Sequence, residues 1–76
     1  MVRYDEHAEF QIARRGIEKT WIEETIGNPD VVETRGSRRS YFKCLPGRRI
    51  MLRVVTAEAD PDYVITAYFD RKRPCA

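Results

Sequence analysis

A chain of 76 residues has room for one domain, and we expect residues 1–76 to form it. Charged residues make up 34% of the chain and apolar residues 42%, a balance that excludes a disordered chain. No apolar run approaches the ~18 residues that a membrane span needs, and the N-terminus lacks a signal-peptide pattern. The sequence therefore predicts a cytoplasmic protein that does not contact a membrane.

The chain contains two cysteines, Cys44 and Cys75, and a single histidine, which is too few for a zinc-binding pattern. We expect neither a metal ion nor a cofactor. Cys44 falls inside a predicted strand, and Cys75 is next to last in a tail that we expect to be frayed. The sequence therefore predicts two free thiols in a reducing cytoplasm.

The net charge of +2 conceals a strong segregation of charge along the chain. Residues 1–33 carry eight acidic and four basic side chains, whereas residues 34–57 carry no acidic one. The seven basic residues of that second segment are Arg35, Arg38, Arg39, Lys43, Arg48, Arg49 and Arg53. Such a block favours contact with a polyanion, and the alternative is an ordinary solvated sheet face.

Two helices are predicted before the basic block. Asp5 is a good N-cap, and Gly16 provides the left-handed residue that ends the first helix near residue 15. A stripe of apolar residues predicts a second helix over residues 19–26. Gly27 ends it, and Pro29 forces the preceding residue to be extended.

Four strands are predicted after the helices, over residues 30–34, 38–45, 49–57 and 63–69. Pro46-Gly47-Arg48 reads as a three-residue hairpin loop between the second and third strands. The predicted fold is α+β, with two N-terminal helices packed on one face of a curved, four-stranded antiparallel sheet. Val2–Tyr4 is a candidate for a short extra N-terminal strand.

The short loop sets the predicted strand pairing. It places Leu45 opposite Arg49, so that Phe42 pairs with Leu52 and Tyr41 with Arg53. The face away from the helices then carries Tyr41, Lys43, Met51 and Arg53. A slip of one residue would reverse the two faces.

The last strand fits the sheet in either orientation. We favour Ile65, Ala67 and Phe69 facing the helices, which places Tyr68 beside Arg53 on the open face.

The open face would then gather arginine, lysine and tyrosine side chains. Arginine can hold a phosphate through two hydrogen bonds, lysine adds charge, and tyrosine can stack on a base. Such a set could cleave RNA without a metal ion if a general base activates the 2′-hydroxyl group. These are also ordinary residues for a solvent-facing sheet, and the sequence leaves both interpretations open.

His7 lies in the first turn of the first helix, where the helix dipole disfavours a positive charge. It forms a polar strip with Gln11 and Arg14 and could act as a base. The alternative is a histidine that only bonds within the helix pair.

Several short motifs resemble a small bacterial family of unknown function that is often grouped with the RelE, ParE and BrnT toxin-like domains. The motifs are His7-Ala8, Arg15-Gly16-Ile17, Asn28-Pro29-Asp30, Leu52-Arg53-Val54-Val55 and Val64-Ile65-Thr66-Ala67-Tyr68. The resemblance implies two helices on a curved antiparallel sheet, and it matches His7, Arg15, Arg53 and Tyr68 to the family's motifs. Gln11 stands where an arginine is usual, and Glu18 where a serine cap is usual, so the first change removes a cation from the helical strip.

The predicted function is a toxin-like domain of toxin–antitoxin type, either a metal-independent endoribonuclease or an RNA-binding protein. The alternative is a non-catalytic module that binds an acidic protein or nucleic acid. The expected partners are RNA or the ribosome, a cognate antitoxin and a second copy of the chain. The predicted catalytic residues are His7, Arg53 and Tyr68, and the predicted RNA-binding residues are Arg38, Arg39, Tyr41, Lys43 and Arg49.

Overall fold

A computed structural model describes residues 1–75 as two helices and five strands. The elements are β1 (Arg3–Tyr4), α1 (Glu6–Arg15), α2 (Lys19–Gly27), β2 (Val31–Arg35), β3 (Arg38–Lys43), β4 (Ile50–Ala57) and β5 (Asp60–Pro74). The strands form one sheet in the order β1-β5-β4-β3-β2. Within the described residues, neither helix is long and apolar enough to cross a membrane.

The prediction of a four-stranded antiparallel sheet is wrong, because β1 adds a fifth strand that runs parallel to β5. Arg3 pairs with Tyr63 and Tyr4 with Val64, and the Asp5 amide donates to the Val64 carbonyl at 3.0 Å. A strand of two residues is too short to show an alternating pattern. The long chain that separates β1 from β5 allows the parallel direction, which a short hairpin could not produce.

The first helix begins and ends at its predicted caps, whereas the second has the predicted position without a side-chain cap at its start. The Asp5 side chain accepts a hydrogen bond from the His7 amide at the start of α1. Gly16 ends α1 in the left-handed conformation, with φ at 67°. The second helix begins after Glu18, whose side chain makes no capping hydrogen bond. These local signals confirm the two predicted helices.

The hydrophobic core lies between one face of the sheet and the two helices. Ala8 and Ile12 of α1 and Ile22 of α2 face the sheet and are almost fully buried. The sheet contributes Tyr41, Leu52, Val54, Val64 and Ala67 to the same cluster. Both helices therefore cover a single face of the sheet, as predicted.

The predicted pairing of β3 with β4 is wrong by one residue. Phe42 pairs with Arg53, and Tyr41 pairs with Val54. The connection between the strands is longer than the predicted three-residue loop, because β3 ends at Lys43 and β4 begins at Ile50. Asp30 stabilises this connection by accepting a hydrogen bond from the Cys44 amide at 2.9 Å.

The changed pairing reverses the faces of β3. Tyr41 and Lys43 point toward the helices, whereas Phe42 points to the opposite face. Phe42 is nevertheless fully buried, because the guanidinium carbons of Arg53 and Arg73 lie 5.1 and 4.3 Å from the centre of its ring. Two arginines therefore cover the part of the sheet that no helix covers.

Strand β5 matches the prediction in part. Tyr68 pairs with Arg53, and Ala67 is buried on the helix side, as predicted. Val64 rather than Ile65 is the second buried residue, because the pairing shifts between Val55 and Thr56 of β4. A β-bulge of this kind changes the alternation of faces along a strand.

The prediction of two free thiols is wrong, because Cys44 and Cys75 form a disulfide. The segment that leads to Cys75 is not frayed: β5 continues to Pro74, and the Cys75 amide donates to the Arg49 carbonyl at 2.9 Å. This pairing brings the Cα atoms of the two cysteines to 5.4 Å, within the range that a disulfide spans. The bridge joins the β3–β4 connection to the end of β5.

We expect the substitution Cys75→Ser to destabilise the protein substantially. The disulfide joins residues that are 31 positions apart in the chain. Closing a loop of that size restricts the unfolded chain and stabilises the fold by about 3 to 4 kcal/mol. Urea unfolding of the oxidised protein and of the variant measures the difference. Reduction with dithiothreitol should lower the stability of the wild type by a similar amount and leave the variant unchanged, and an unchanged wild type would contradict the prediction.

Candidate functional site

Helix α1 presents three polar side chains at intervals of four residues, His7, Gln11 and Arg15, which therefore lie on one face. Gln11 Nε2 lies 2.8 Å from His7 Nε2, and Arg15 Nη1 donates to Gln11 Oε1 at 3.2 Å. Thr66 of β5 donates its hydroxyl proton to Gln11 Oε1 at 2.6 Å. The strip on the helix is thus bonded to the neighbouring strand.

The hydrogen bonds of Gln11 define the state of His7. Gln11 Oε1 accepts from both Arg15 and Thr66, so its amide nitrogen is the group that faces His7. An amide NH₂ group can only donate, and His7 Nε2 must therefore accept. The proton of the neutral imidazole lies on Nδ1.

Arg15 reaches the outer side of β5. Strand β1 pairs with β5 only at Tyr63 and Val64, so no strand of the described chain flanks β5 beyond that point. Arg15 Nη1 donates to the Ala67 carbonyl at 2.9 Å, and its guanidinium carbon lies 5.8 Å from the centre of the Tyr68 ring. Among residues 1–75, no carboxylate forms a salt bridge with Arg15. Its charge is therefore available to an anion.

Arg53 lies on the other side of β5, and its guanidinium carbon is also 5.8 Å from the centre of the Tyr68 ring. Unlike Arg15, it is fully engaged. Its Nη1 donates to Asp70 at 3.1 Å, and its Nε and Nη2 donate to the Ser40 hydroxyl at 3.3 and 3.2 Å. Arg53 is therefore held in one orientation, and its charge is compensated.

The carboxylate of Asp70 is nearly buried, with 12% of its side chain exposed. The Lys72 amide, followed by the Arg53 guanidinium, donates to it and lowers its pKa, although burial acts in the opposite direction. Asp70 thus remains ionised and keeps Arg53 in place beside Tyr68.

The structure brings the three predicted catalytic residues into one network. His7 connects to Tyr68 through Gln11 and Arg15, and Tyr68 contacts Arg53. The polar strip on α1 ends with Arg15 rather than with the predicted Arg14, whose guanidinium lies over the Phe10 ring. The catalytic roles of these residues remain predictions.

The predicted RNA-binding residues do not converge. Tyr41 is buried in the core, and Lys43 donates to the Asn28 carbonyl at 3.0 Å on the helix side. Arg39 forms a salt bridge with Glu58. Arg38 and Arg49 are exposed at opposite ends of the β3–β4 pair. The surface that was predicted to combine Tyr41 and Lys43 with Arg53 and Tyr68 does not form, because the one-residue shift turns the first two toward the helices.

Sequence reasoning did not join Thr66, Ser40 and Asp70 to this network, and it named Arg15 only through the family motif. The spacing of His7, Gln11 and Arg15 is the signal that could have placed Arg15 in the polar strip, because side chains four residues apart are neighbours on a helix. Ser40 and Asp70 carried no such signal, since their proximity to Arg53 depends on the strand pairing.

Two helices on one face of a five-stranded mixed sheet, with an arginine–tyrosine network at the edge of β5, define a small α+β domain with a cationic, aromatic site. Within residues 1–75, no three His, Cys, Asp or Glu side chains are grouped so that they could hold a metal ion. The chain belongs to the family described as "Domain of unknown function (DUF4258)", which matches residues 4–69. No curated protein and no solved structure matches the chain.

The family match contains the part of the network from His7 to Tyr68 and ends one residue later, at Phe69. Asp70, Arg73 and Cys75 lie beyond it. The compensation of Arg53, the cover over Phe42 and the disulfide therefore all depend on a segment outside the matched range.

We expect the Asp70→Asn substitution to lower stability in a pH-dependent way. The folded-state pKa of Asp70 is lowered, so it lies below the unfolded value of about 3.9. Asp70 therefore stabilises the fold above that pH, and the contribution is lost as the pH falls through the folded-state pKa. Urea unfolding near pH 7 should show a loss of about 2 kcal/mol, the size expected for a hydrogen bond to a charged group.

The loss should shrink in strongly acid solution, where wild type and variant both lack the charge. Asp62→Asn removes an exposed carboxylate and serves as the control. A difference between wild type and Asp70→Asn that is the same at all pH values would contradict the assignment.

Proposed function

We propose that this DUF4258 domain is a toxin-like RNA-binding domain of the RelE/BrnT type, and that it binds the RNA backbone at the edge of β5. The proposal rests on the contact of Tyr68 with two guanidinium groups, of which one is available to an anion and the other is already paired. Arg53 is occupied by Asp70 and Ser40, whereas Arg15 has no carboxylate partner among the described residues.

The two arginines take different parts in this binding. Arg15 donates the hydrogen bonds and the charge that a phosphate requires, since only its Nη1 is engaged in the structure. Arg53 holds the Tyr68 side chain from the sheet face. The half-buried Tyr68 offers a ring edge for a neighbouring base and a hydroxyl that can donate to the phosphate.

Nucleic acid fits this site better than an acidic protein does. An acidic protein would use charge alone, and the exposed arginines of the β3–β4 pair are too far apart to form one basic patch. Tyrosine beside an available arginine is instead the combination that single-stranded RNA uses, with a phosphate on the cation and a base on the ring.

Metal-independent cleavage of RNA is a second candidate function, and the bonded connection from His7 to Arg15 favours it. A phosphate held by Arg15 would lie on the same helix face as the His7 imidazole, whose neutral form can accept the 2′-hydroxyl proton. His7 Nε2 already accepts from Gln11, however, so Gln11 must turn away before His7 can act as the base.

We expect Arg15→Gln to weaken RNA binding several-fold and Arg14→Gln to leave it nearly unchanged. The two substitutions remove the same charge from the same helix, but only Arg15 contacts Tyr68. Fluorescence anisotropy with a labelled single-stranded RNA measures both affinities over a range of salt concentrations. Loss of one phosphate contact should reduce the slope of log affinity against log salt by about 1. Equal effects of the two substitutions would refute binding at this edge.

Incubation of the protein with RNA in EDTA tests the second candidate. Attack by the 2′-hydroxyl would produce fragments with 2′,3′-cyclic phosphate ends, and His7→Ala should slow their formation by roughly 100-fold, the size of a general-base contribution. Intact RNA in the wild-type incubation would remove cleavage from consideration and leave RNA binding in place.

Expression in bacteria tests the toxin class separately. A toxin of this type should halt growth, and a small adjacent reading frame should restore it. Normal growth at high expression would contradict the toxin class.

A further inference from the structure

A cavity of about 400 Å³ lies on the helix side of the sheet between α2 and the β3–β4 connection. Trp21 and Glu24 border it from α2, and they share a face of that helix because they are three residues apart. Leu45, Pro46 and Arg48 border it from the connection. Its volume lies in the range of small-molecule sites.

The β3–β4 connection is held in place on several sides. The Cys44–Cys75 disulfide ties it to β5, and the Asp30 carboxylate accepts from the Cys44 amide. Inside the connection, the Arg48 amide donates to the Leu45 carbonyl at 3.1 Å. The wall that faces Trp21 is therefore preformed, which reduces the entropy lost when a ligand binds.

Two groups of opposite charge border this cavity without pairing. Glu24 and Arg48 form no salt bridge with each other or with another side chain among residues 1–75. The Arg48 guanidinium carbon lies 5.3 Å from the Trp21 ring centre and 4.6 Å from the Phe69 ring centre, so the aromatic rings orient it. The cavity thus offers a carboxylate acceptor and a guanidinium donor beside apolar walls.

We propose that this cavity binds a guanine base of the RNA that the β5 edge holds, an inference that rests on the proposed function. Guanine carries two neighbouring donors, N1–H and N2–H, which match the two oxygens of the Glu24 carboxylate. Its other edge carries the acceptors O6 and N7, which arginine recognises. The purine ring stacks against the Trp21 side of the cavity, between walls formed by Leu45 and Pro46.

The other bases lack this pattern. Adenine has an acceptor at N1 where guanine has a donor, and that acceptor would face the Glu24 carboxylate. Cytosine offers a single amino group, and uracil a single ring N–H group between two carbonyls. Only guanine satisfies both Glu24 oxygens while presenting acceptors to Arg48.

Consecutive residues of β5 contact the phosphate site and the cavity from opposite faces of the sheet. Tyr68 contacts Arg15, and the next residue, Phe69, contacts Arg48. An RNA strand that places a phosphate at Arg15 and a guanine in the cavity therefore has to pass around the outer edge of β5, which β1 leaves unpaired beyond Val64.

Trp21 is the only tryptophan of the chain, so its fluorescence reports on the cavity directly. We expect guanosine monophosphate to quench this fluorescence at a concentration about 10-fold lower than adenosine monophosphate, the discrimination typical of a bidentate base contact. Glu24→Gln should abolish the preference, because an amide offers one acceptor instead of two. Glu23→Gln changes the neighbouring exposed carboxylate and should retain the preference. Circular dichroism checks that both variants fold.

Equal quenching by the two nucleotides, no quenching by either, or a preference that survives Glu24→Gln would overturn the guanine site. Arg15→Gln distinguishes this failure from failure of the proposed function. It should weaken binding of a guanine-containing oligonucleotide and leave quenching by the mononucleotide unchanged. Oligonucleotide binding that depends on Arg15 but shows no guanine preference would overturn the guanine site alone.

Discussion

The pairing of Arg53 with Phe42 on one side and with Tyr68 on the other is the constraint on which the rest of the site depends. It places a guanidinium in the middle of the face that the helices leave free. From there Arg53 reaches Ser40 and Asp70, and the three together orient the Tyr68 side chain. A shift of one residue in the β3–β4 pairing would move Arg53 opposite Tyr41, and Arg53 would lose its present position relative to Ser40. The register of two central strands thus determines the chemistry at the edge of a third.

The shortness of β1 determines where that chemistry is accessible. Two residues are enough to anchor the start of α1 against β5, but they leave the outer side of β5 uncovered from Ile65 onward. Helix α1 runs along that side and fills the gap with polar groups, of which Gln11 and Arg15 reach the strand. Buried apolar contacts of Ala8 and Ile12 on the adjacent face hold the helix there. The same helix therefore supplies core packing on one face and the polar groups of the candidate site on the next.

The features that sequence reasoning could predict are those encoded by neighbouring residues. Asp5 and Gly16 bound the first helix through contacts within a few positions, and the structure has them as predicted. The β3–β4 pairing could not be predicted in the same way, because Pro46-Gly47-Arg48 fits a tight loop as well as the longer connection that Asp30 stabilises. The disulfide depends on that connection and on the full length of β5. The wrong prediction of the loop therefore also led to the wrong prediction of two free thiols.

The predictions for the candidate site succeeded or failed with the strand pairing on which each depended. The predicted strand pairing placed Tyr68 beside Arg53, and the structure pairs these two residues and joins His7 to them through Gln11 and Arg15. The same reasoning placed Tyr41 and Lys43 on that face, but the shift of one residue between β3 and β4 turns both to the other face. The β4–β5 part of the predicted surface therefore formed, and the β3–β4 part did not.

Phe42 is buried beneath Arg53 and Arg73, so two guanidinium groups cover part of the sheet face that carries no helix. An anion that drew Arg53 away from Asp70 would also expose the Phe42 ring to water. The free energy of that exposure disfavours phosphate binding by Arg53. Arg15 does not cover Phe42, and it can bind or release an anion without exposing that ring. Under the proposed function, an anion would therefore bind at the arginine whose displacement leaves the packing of Phe42 intact.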